Sequence, residues 1–190
     1  MAENLNSLKR VFREYLNLKK LRRTGWQLRG IRDCESLADH CFGVALLTML
    51  IGDSQKKLSL DRGKAVRMAL IHEMGECRIG DIPFPALAFL PGKSKAEQEA
   101  VTELFSGLGK AGGEYIALFK EYEEAQTPEA KFVKAVDKLE MLITAAEYER
   151  SGFRALGDFW ENDATFRTFE PFPALAKLAN ELKRRHLKIK

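Results

Sequence analysis

Thr127-Pro128-Glu129-Ala130-Lys131-Phe132-Val133-Lys134-Ala135-Val136-Asp137, running on to about Arg150, is the stretch on which the fold turns. Thr127 is a capping residue, and proline at the first helical position gives up only an N–H that a helix start leaves unpaired anyway. Asp137 has Val133 four residues before it and Met141 four after, so its carboxylate shares the apolar face of the helix. A long helix that points an acid at the core sets the problem for the rest of the chain.

Working outward, the same three- and four-residue period recurs. Leu5, Leu8, Val11, Phe12, Tyr15 and Leu16 predict a first helix reaching about Leu21, and Thr24-Gly25-Trp26 with Gly30 predicts a loop rich in cations. Ser36 with Asp39 resembles a capping box opening a second helix, faced by Leu37, Val44, Leu47 and Ile51. Ser59 or Asp61 caps a third, packed through Val66, Met68, Ala69, Leu70 and Ile71, with Gly80 just past its end. Ile82 to Gly92 carries three prolines and is a loop, a candidate lid. Ser94-Lys95-Ala96-Glu97 predicts a fourth helix ending near Gly107 to Gly109, and Gly112-Gly113 separates it from a fifth. After the sixth, residues 153–172 look irregular, and Pro173 opens a last helix. No segment alternates with a period of two, so the expected fold class is all-α, a single helical bundle.

The chain has 190 residues, 45% of them hydrophobic, and a formal net charge of only +4. Such a balance is that of a folded chain, and this length buries about 70% of the surface of its extended form. One domain, 1–190, with its core over about 5–182, is expected. No apolar run close to the ~18 residues of a membrane span stands out, and no leader precedes the first helix, so a cytoplasmic protein without membrane contact is expected. Cys34, Cys41 and Cys77 are odd in number and lack C-x-x-C spacing, which suits reduced thiols. The ends are basic (+7 over 1–32, +4 over 181–190) and the middle acidic. Residues 183–190 form a basic tail that reads as a fraying last turn. Nucleic-acid binding through these ends has little support, because no nucleic-acid motif accompanies them.

The anomaly lies in polar residues on apolar faces. His40 falls between Leu37 and Val44, and His72 follows Met68 and Ala69 in the same way. Singly, each is more often a hydrogen-bonded core histidine. With Glu73, Glu76 and Asp137, however, they place several inward polar groups on three helices, and buried carboxylates need a partner. A divalent cation would serve; a buried ion-pair network with Arg or Lys serves equally well at this point. Neutral imidazoles with carboxylates would suit Co, Mn, Fe, Ni or Zn better than Mg. His72-Glu73-Met74-Gly75-Glu76 lacks the second histidine of a zincin.

A histidine, an adjacent His-acid pair and a distant aspartate resemble the H…HD…D pattern of the HD-domain metal-dependent phosphohydrolases. Arg23-Thr24-Gly25-Trp26, Glu35 through His40, His72 through Cys77, Gly80-Asp81-Ile82, Glu129 through Asp137 and Glu147-Tyr148-Glu149 are similar in particular to the 5′-deoxynucleotidase branch. The resemblance implies one divalent metal ion per chain, held by His40, His72, Glu73 and Asp137, with Glu76 as catalytic acid/base. It further implies that Trp26 and Asp81 line a nucleotide site and that the protein is a homodimer. Arg23 and Arg29 are candidates to offset phosphate charge. Trp26 has a plainer reading as an anchor of its loop on the core. Two departures stand out: position 73 is Glu where the family has Asp, and Gly25 replaces the Arg that precedes the tryptophan in bacterial members. The implied reaction is hydrolysis of deoxynucleoside 5′-monophosphates to deoxynucleoside and phosphate. The alternative is a catalytically weakened HD scaffold that binds nucleotides or a protein partner.

Overall fold

Local caps start the helices that matter most, and a computed structural model describes how they pack, over residues 2–189 and the side chains of 5–186. Helices α1 (Ala2–Tyr15) and α2 (Thr24–Gln27) precede α3 (Leu37–Ser54), α4 (Arg62–Ile71) and α5 (Glu76–Ile79). A 3-10 turn at Phe84–Phe89 leads to α6 (Lys93–Phe105), α7 (Gly109–Glu124) and α8 (Pro128–Arg150). Two short helices, α9 (Gly157–Glu161) and α10 (Asp163–Arg167), come before α11 (Pro173–Ile189). Among the described residues there is no strand, only an isolated bridge between Arg22 and Ser36. The fold is all-α, as the periodicity predicts.

The Ser36–Asp39 capping box is present in both directions, Asp61 caps α4 by accepting from the Lys64 N–H, and Thr127 caps α8 by accepting from the Ala130 N–H. α8 is the central pillar. Phe132, Val133, Val136, Leu139 and Leu142 on it are buried among Val44 of α3, Met68 of α4 and Leu175 of α11. A smaller cluster of Leu18, Leu37, Met74, Val101, Leu104 and Phe119 lies between α1, α6 and α7. Each fully buried large side chain contributes about 1.5–3 kcal/mol to these cores. Ile71 packs against both clusters, so the residue after it sits at their seam. That residue is His72.

Several boundaries differ from expectation, each for a tertiary reason. α1 ends at Tyr15, and the chain turns so that Asn17 donates to the Cys77 carbonyl. The Trp26 loop contains one helical turn, α2. Ser94 does not cap α6, which starts at Lys93; its hydroxyl meets Glu123, while Glu97 binds Lys93. Gly112 and Gly113 lie inside α7, where a side chain on Gly112 would stand 2.0 Å from the Phe105 carbonyl oxygen. Close helix contact, not a break, explains that glycine. α3, at 18 residues, is long and apolar enough by length and composition to cross a membrane, contrary to expectation, yet its inner face is core. Past Leu182, where fraying is expected, α11 runs on to Ile189, and His186 is buried.

Candidate metal centre and cavity

The spacing of His72, Glu73 and Glu76 suggests one continuous helix, but α4 ends at Ile71 and α5 begins at Glu76. Gly75 lies in the turn between them, where a Cβ would stand 2.8 Å from the Glu97 Cβ. α6 therefore presses on the turn, and only glycine fits. The Glu76 N–H still bonds the Glu73 carbonyl at 3.0 Å, which keeps all three side chains on one side.

His40, His72 and Glu73 each present a ligand-type atom, and these three lie within 4.8 Å of one another. Glu73 Oε1 is 3.7 Å from His72 Nε2 and 3.8 Å from His40 Nε2. Asp137 Oδ1 approaches His40 Nε2 to 3.3 Å. It stands outside the mutual set of three, drawn towards Lys138 Nζ at 3.1 Å and the Tyr122 hydroxyl at 3.2 Å. Three helices thus bring the four residues to one place.

The imidazoles are oriented from behind. His72 Nδ1 is 2.7 Å from the Ala69 carbonyl, which can only accept, so Nδ1 carries the proton. His40 Nδ1 is 2.6 Å from Glu140 Oε2 in the same sense. Both Nε2 atoms are buried and make no hydrogen bond. Buried polar atoms are rarely left so. Two bare nitrogens beside two carboxylates form a mixed nitrogen–oxygen set that could hold a metal ion, so the residues fit that group.

Charge is arranged to match. Burial opposes ionisation of Asp137 and Glu73, yet Lys138 and His40 hold Asp137 well below the ordinary carboxylate range, and His72 and Arg23 hold Glu73 below it. Burial lowers the pKa of His72, favouring the neutral ligand form. For His40, burial and Arg23 oppose protonation, but Asp137 and Glu140 outweigh them and push it up to about 9.

Glu76 is buried beside the cluster. Burial, then the charges of Glu73 and Asp81, push its carboxyl up to about 9 against the pull of Lys93. Oε1 accepts from Lys93 Nζ at 3.1 Å, while Oε2 has no partner. A carboxyl that can hold a proton near neutrality is suited to acid/base work.

A cavity of about 970 Å³ opens over this group, lined by His72, Glu73, Glu76 and Asp137 and, across from them, by Phe84, Leu87 and Leu90 of the proline-rich segment. Asp81 is anchored at the rim: it accepts from the Thr24 N–H, its carbonyl takes the Thr24 hydroxyl at 2.9 Å, and Oδ1 is 3.7 Å from Arg23 Nη1. Arg23 also bonds Glu73 Oε1 at 3.1 Å. Trp26 borders the cavity but is 2% exposed, stacked on Phe159 at 4.4 Å with its N–H on Glu35 at 2.8 Å, which matches the anchor reading. Arg29 is engaged by Asp158, by the Gly25 carbonyl at 2.8 Å and by the Phe159 ring. Sequence reasoning did not single out Lys93, Lys138, Tyr122 or Glu140. Their signal is weak, since each lies on an ordinary helical stretch, and Lys93, Tyr122 and Glu140 meet their partners 15 to 100 positions away.

Two imidazoles with bare inward nitrogens, backed by hydrogen-bond acceptors and flanked by carboxylates under a cavity, define an all-α protein with a site fit for a metal ion. The chain belongs to the HD domain family, whose pattern matches residues 16–173. Among similar proteins, human 5′-deoxynucleotidase HDDC2 is 35% identical over 179 residues, covering 93% of this chain and 84% of its own. 5′-deoxynucleotidase HDDC2 of Xenopus laevis is 41% identical over 152 residues, covering 77% and 73%. A conserved hypothetical protein from Pyrococcus furiosus superposes with a TM-score of 0.81 at 36% identity, over 92% of this chain and 98% of that one.

Proposed function

We propose that this protein is a metal-dependent phosphomonoesterase that hydrolyses deoxynucleoside 5′-monophosphates, as the names of its relatives suggest. The observation that carries the reading is the pair of orphaned Nε2 atoms, on His40 and His72, facing carboxylates at the base of a cavity. His40, His72, Glu73 and Asp137 would hold one divalent ion, with Co, Mn, Fe, Ni or Zn suited to the donors. When bound, such an ion lowers the pKa of water and polarises a phosphoryl group.

The chain's own residues supply the rest. Glu76 takes a proton from the attacking water or gives one to the leaving alcohol, and Lys93 fixes the carboxylate through Oε1. Arg23, held by Glu73 and Asp81, places positive charge at the rim. Asp81 lines the cavity and would accept from a sugar hydroxyl, and the apolar wall of Phe84, Leu87 and Leu90 suits a base. Trp26 and Arg29 shape the wall through their neighbours. The weakened-scaffold alternative is not favoured, since the relatives are named as 5′-deoxynucleotidases.

Two further readings accompany this one. A homodimer is supported by Phe42, Leu46, Met49 and Leu50, large apolar side chains exposed on α3. A cytoplasmic location is supported by three free cysteines, all buried. Phosphate release from a panel of deoxynucleoside and ribonucleoside monophosphates tests the main reading. It should be abolished by chelator and restored by Co or Mn; a folded, metal-loaded sample inert on every substrate would overturn it.

A further inference from the structure

We infer that Glu140, with Gly43 facing it, is a positioning residue that fixes His40 in the Nδ1–H form and aims its Nε2 at the metal. This rests on the metal-centre reading above and deepens it. Glu140 lies three residues beyond Asp137 on α8, and Gly43 lies three beyond His40 on α3, so the two stand level where the helices face each other.

The contact is short and dry. Glu140 Oε2 is 2.6 Å from His40 Nδ1, and both residues are more than nine-tenths buried. The other oxygen, Oε1, accepts from the Thr144 hydroxyl at 3.2 Å, so the carboxylate is held at both ends. With the Glu140 oxygen as acceptor, the single proton of the neutral imidazole that ligates a metal sits on Nδ1, and Nε2 is left free.

Gly43 makes the arrangement possible. A Cβ there would stand 2.8 Å from Glu140 Oε1, 3.1 Å from Cγ and 3.2 Å from Cδ. Any side chain at 43 displaces this carboxylate, whose atoms are the three nearest to that position. Glu35 also brings an oxygen near His40 and Glu140, but the hydrogen bond to His40 Nδ1 is made by Glu140, while Glu35 takes the Trp26 N–H at 2.8 Å. Outer partners of this kind orient the ligand and raise its basicity, and their loss costs about 10–100-fold in metal affinity.

The test measures binding. Co(II) affinity is determined by chelator competition for the wild type, Glu140→Leu, Glu140→Gln and Gly43→Ala, with melting curves for each. Glu140→Leu should bind about 10–100-fold more weakly. Glu140→Gln should lose less, because an amide oxygen still accepts. Gly43→Ala should weaken binding while melting close to wild type, because the crowded atom is the end of a flexible side chain. Should Glu140→Leu fail to fold, Gly43→Ala and the wild-type spectrum still decide. In Zn-loaded wild type, long-range nitrogen–proton correlation should show His40 protonated at Nδ1 and ligated through Nε2. Wild-type affinity in the folded variants, or ligation through Nδ1, would overturn this inference alone. A wild type that binds neither Co(II) nor Zn(II) would overturn it together with the metal-dependent function.

Discussion

Lys93 holds Glu76 through one hydrogen bond of 3.1 Å to Oε1, and leaves the buried Oε2 without a partner. The ammonium is shared with Glu97, whose Oε1 lies 2.5 Å away one helical turn along α6. The proposed acid/base group therefore has one oxygen anchored and one available. Lys93 is also the largest influence opposing the rise of the Glu76 pKa. Replacing it with Met should raise that pKa further and move the acid limb of the kcat/KM–pH profile upward by about 1–3 units. Glu76→Ala should cut turnover at least ~100-fold while the metal content stays at wild-type level. A profile unmoved by Lys93→Met would remove Lys93 from the chemistry, and metal loss in Glu76→Ala would make Glu76 a ligand.

Glu73 stands where the H…HD…D pattern has Asp, and the structure supplies a use for its extra methylene. Its Oε1 lies 3.1 Å from Arg23 and within 3.8 Å of both Nε2 atoms, so one oxygen serves the rim cation and the ligand cluster together. Glu73→Asp should pull that oxygen back from Arg23 and lower both metal affinity and kcat/KM by about tenfold. Parallel metal titration and phosphate-release assays check this. A gain in activity would instead mark the natural residue as a weakening substitution.

What was legible in the sequence divides by distance along the chain. Caps at Ser36, Asp61 and Thr127 were readable because each device closes within three residues. His40, His72 and Asp137 were readable because each interrupts its own apolar stripe. The break between His72 and Glu76 was not, because it depends on Glu97 pressing against Gly75 from α6. Nor could Gly112 be told from a helix breaker without the Phe105 carbonyl that it makes room for. Glu140 looks like any charged residue of a long helix until α3 brings His40, 100 positions away, against it.

Glu14 ties α1 to α5 by receiving both Nε and Nη2 of Arg78, whose Nη1 also reaches Glu103 at 2.9 Å. The hydrogen bond to Arg78 is the main cause of a lowered Glu14 pKa, and partial burial only moderates it. A carboxyl depressed by folding adds stability above its unfolded value and loses it as the pH falls through the folded one. Wild type should therefore exceed Glu14→Gln by about 1 kcal/mol at pH 7, given the partly exposed pair. The two should converge as the pH falls through the lowered Glu14 pKa. Melting temperatures measured from pH 7 to pH 3 decide it, and a constant difference across the range would show that the charge of Glu14 is immaterial.

His186 turns the basic C-terminal segment into part of the fold. Its Nδ1 lies 2.6 Å from Glu149 Oε1, its ring stacks on Trp160 at 5.2 Å, and the Trp160 N–H reaches the same oxygen at 3.1 Å. Glu149 is 4% exposed, so water cannot replace a lost partner. His186→Ala should cost about 1–3 kcal/mol, the penalty for under-satisfying a buried acceptor that keeps one remaining donor. Glu149→Gln/His186→Ala should recover part of that loss, because an amide is cheaper to leave half-paired than a carboxylate. Removing everything after Leu182 should destabilise at least as much as His186→Ala. Denaturant midpoints for the four proteins make the comparison, and a truncated chain as stable as the whole would return this segment to a solvated tail.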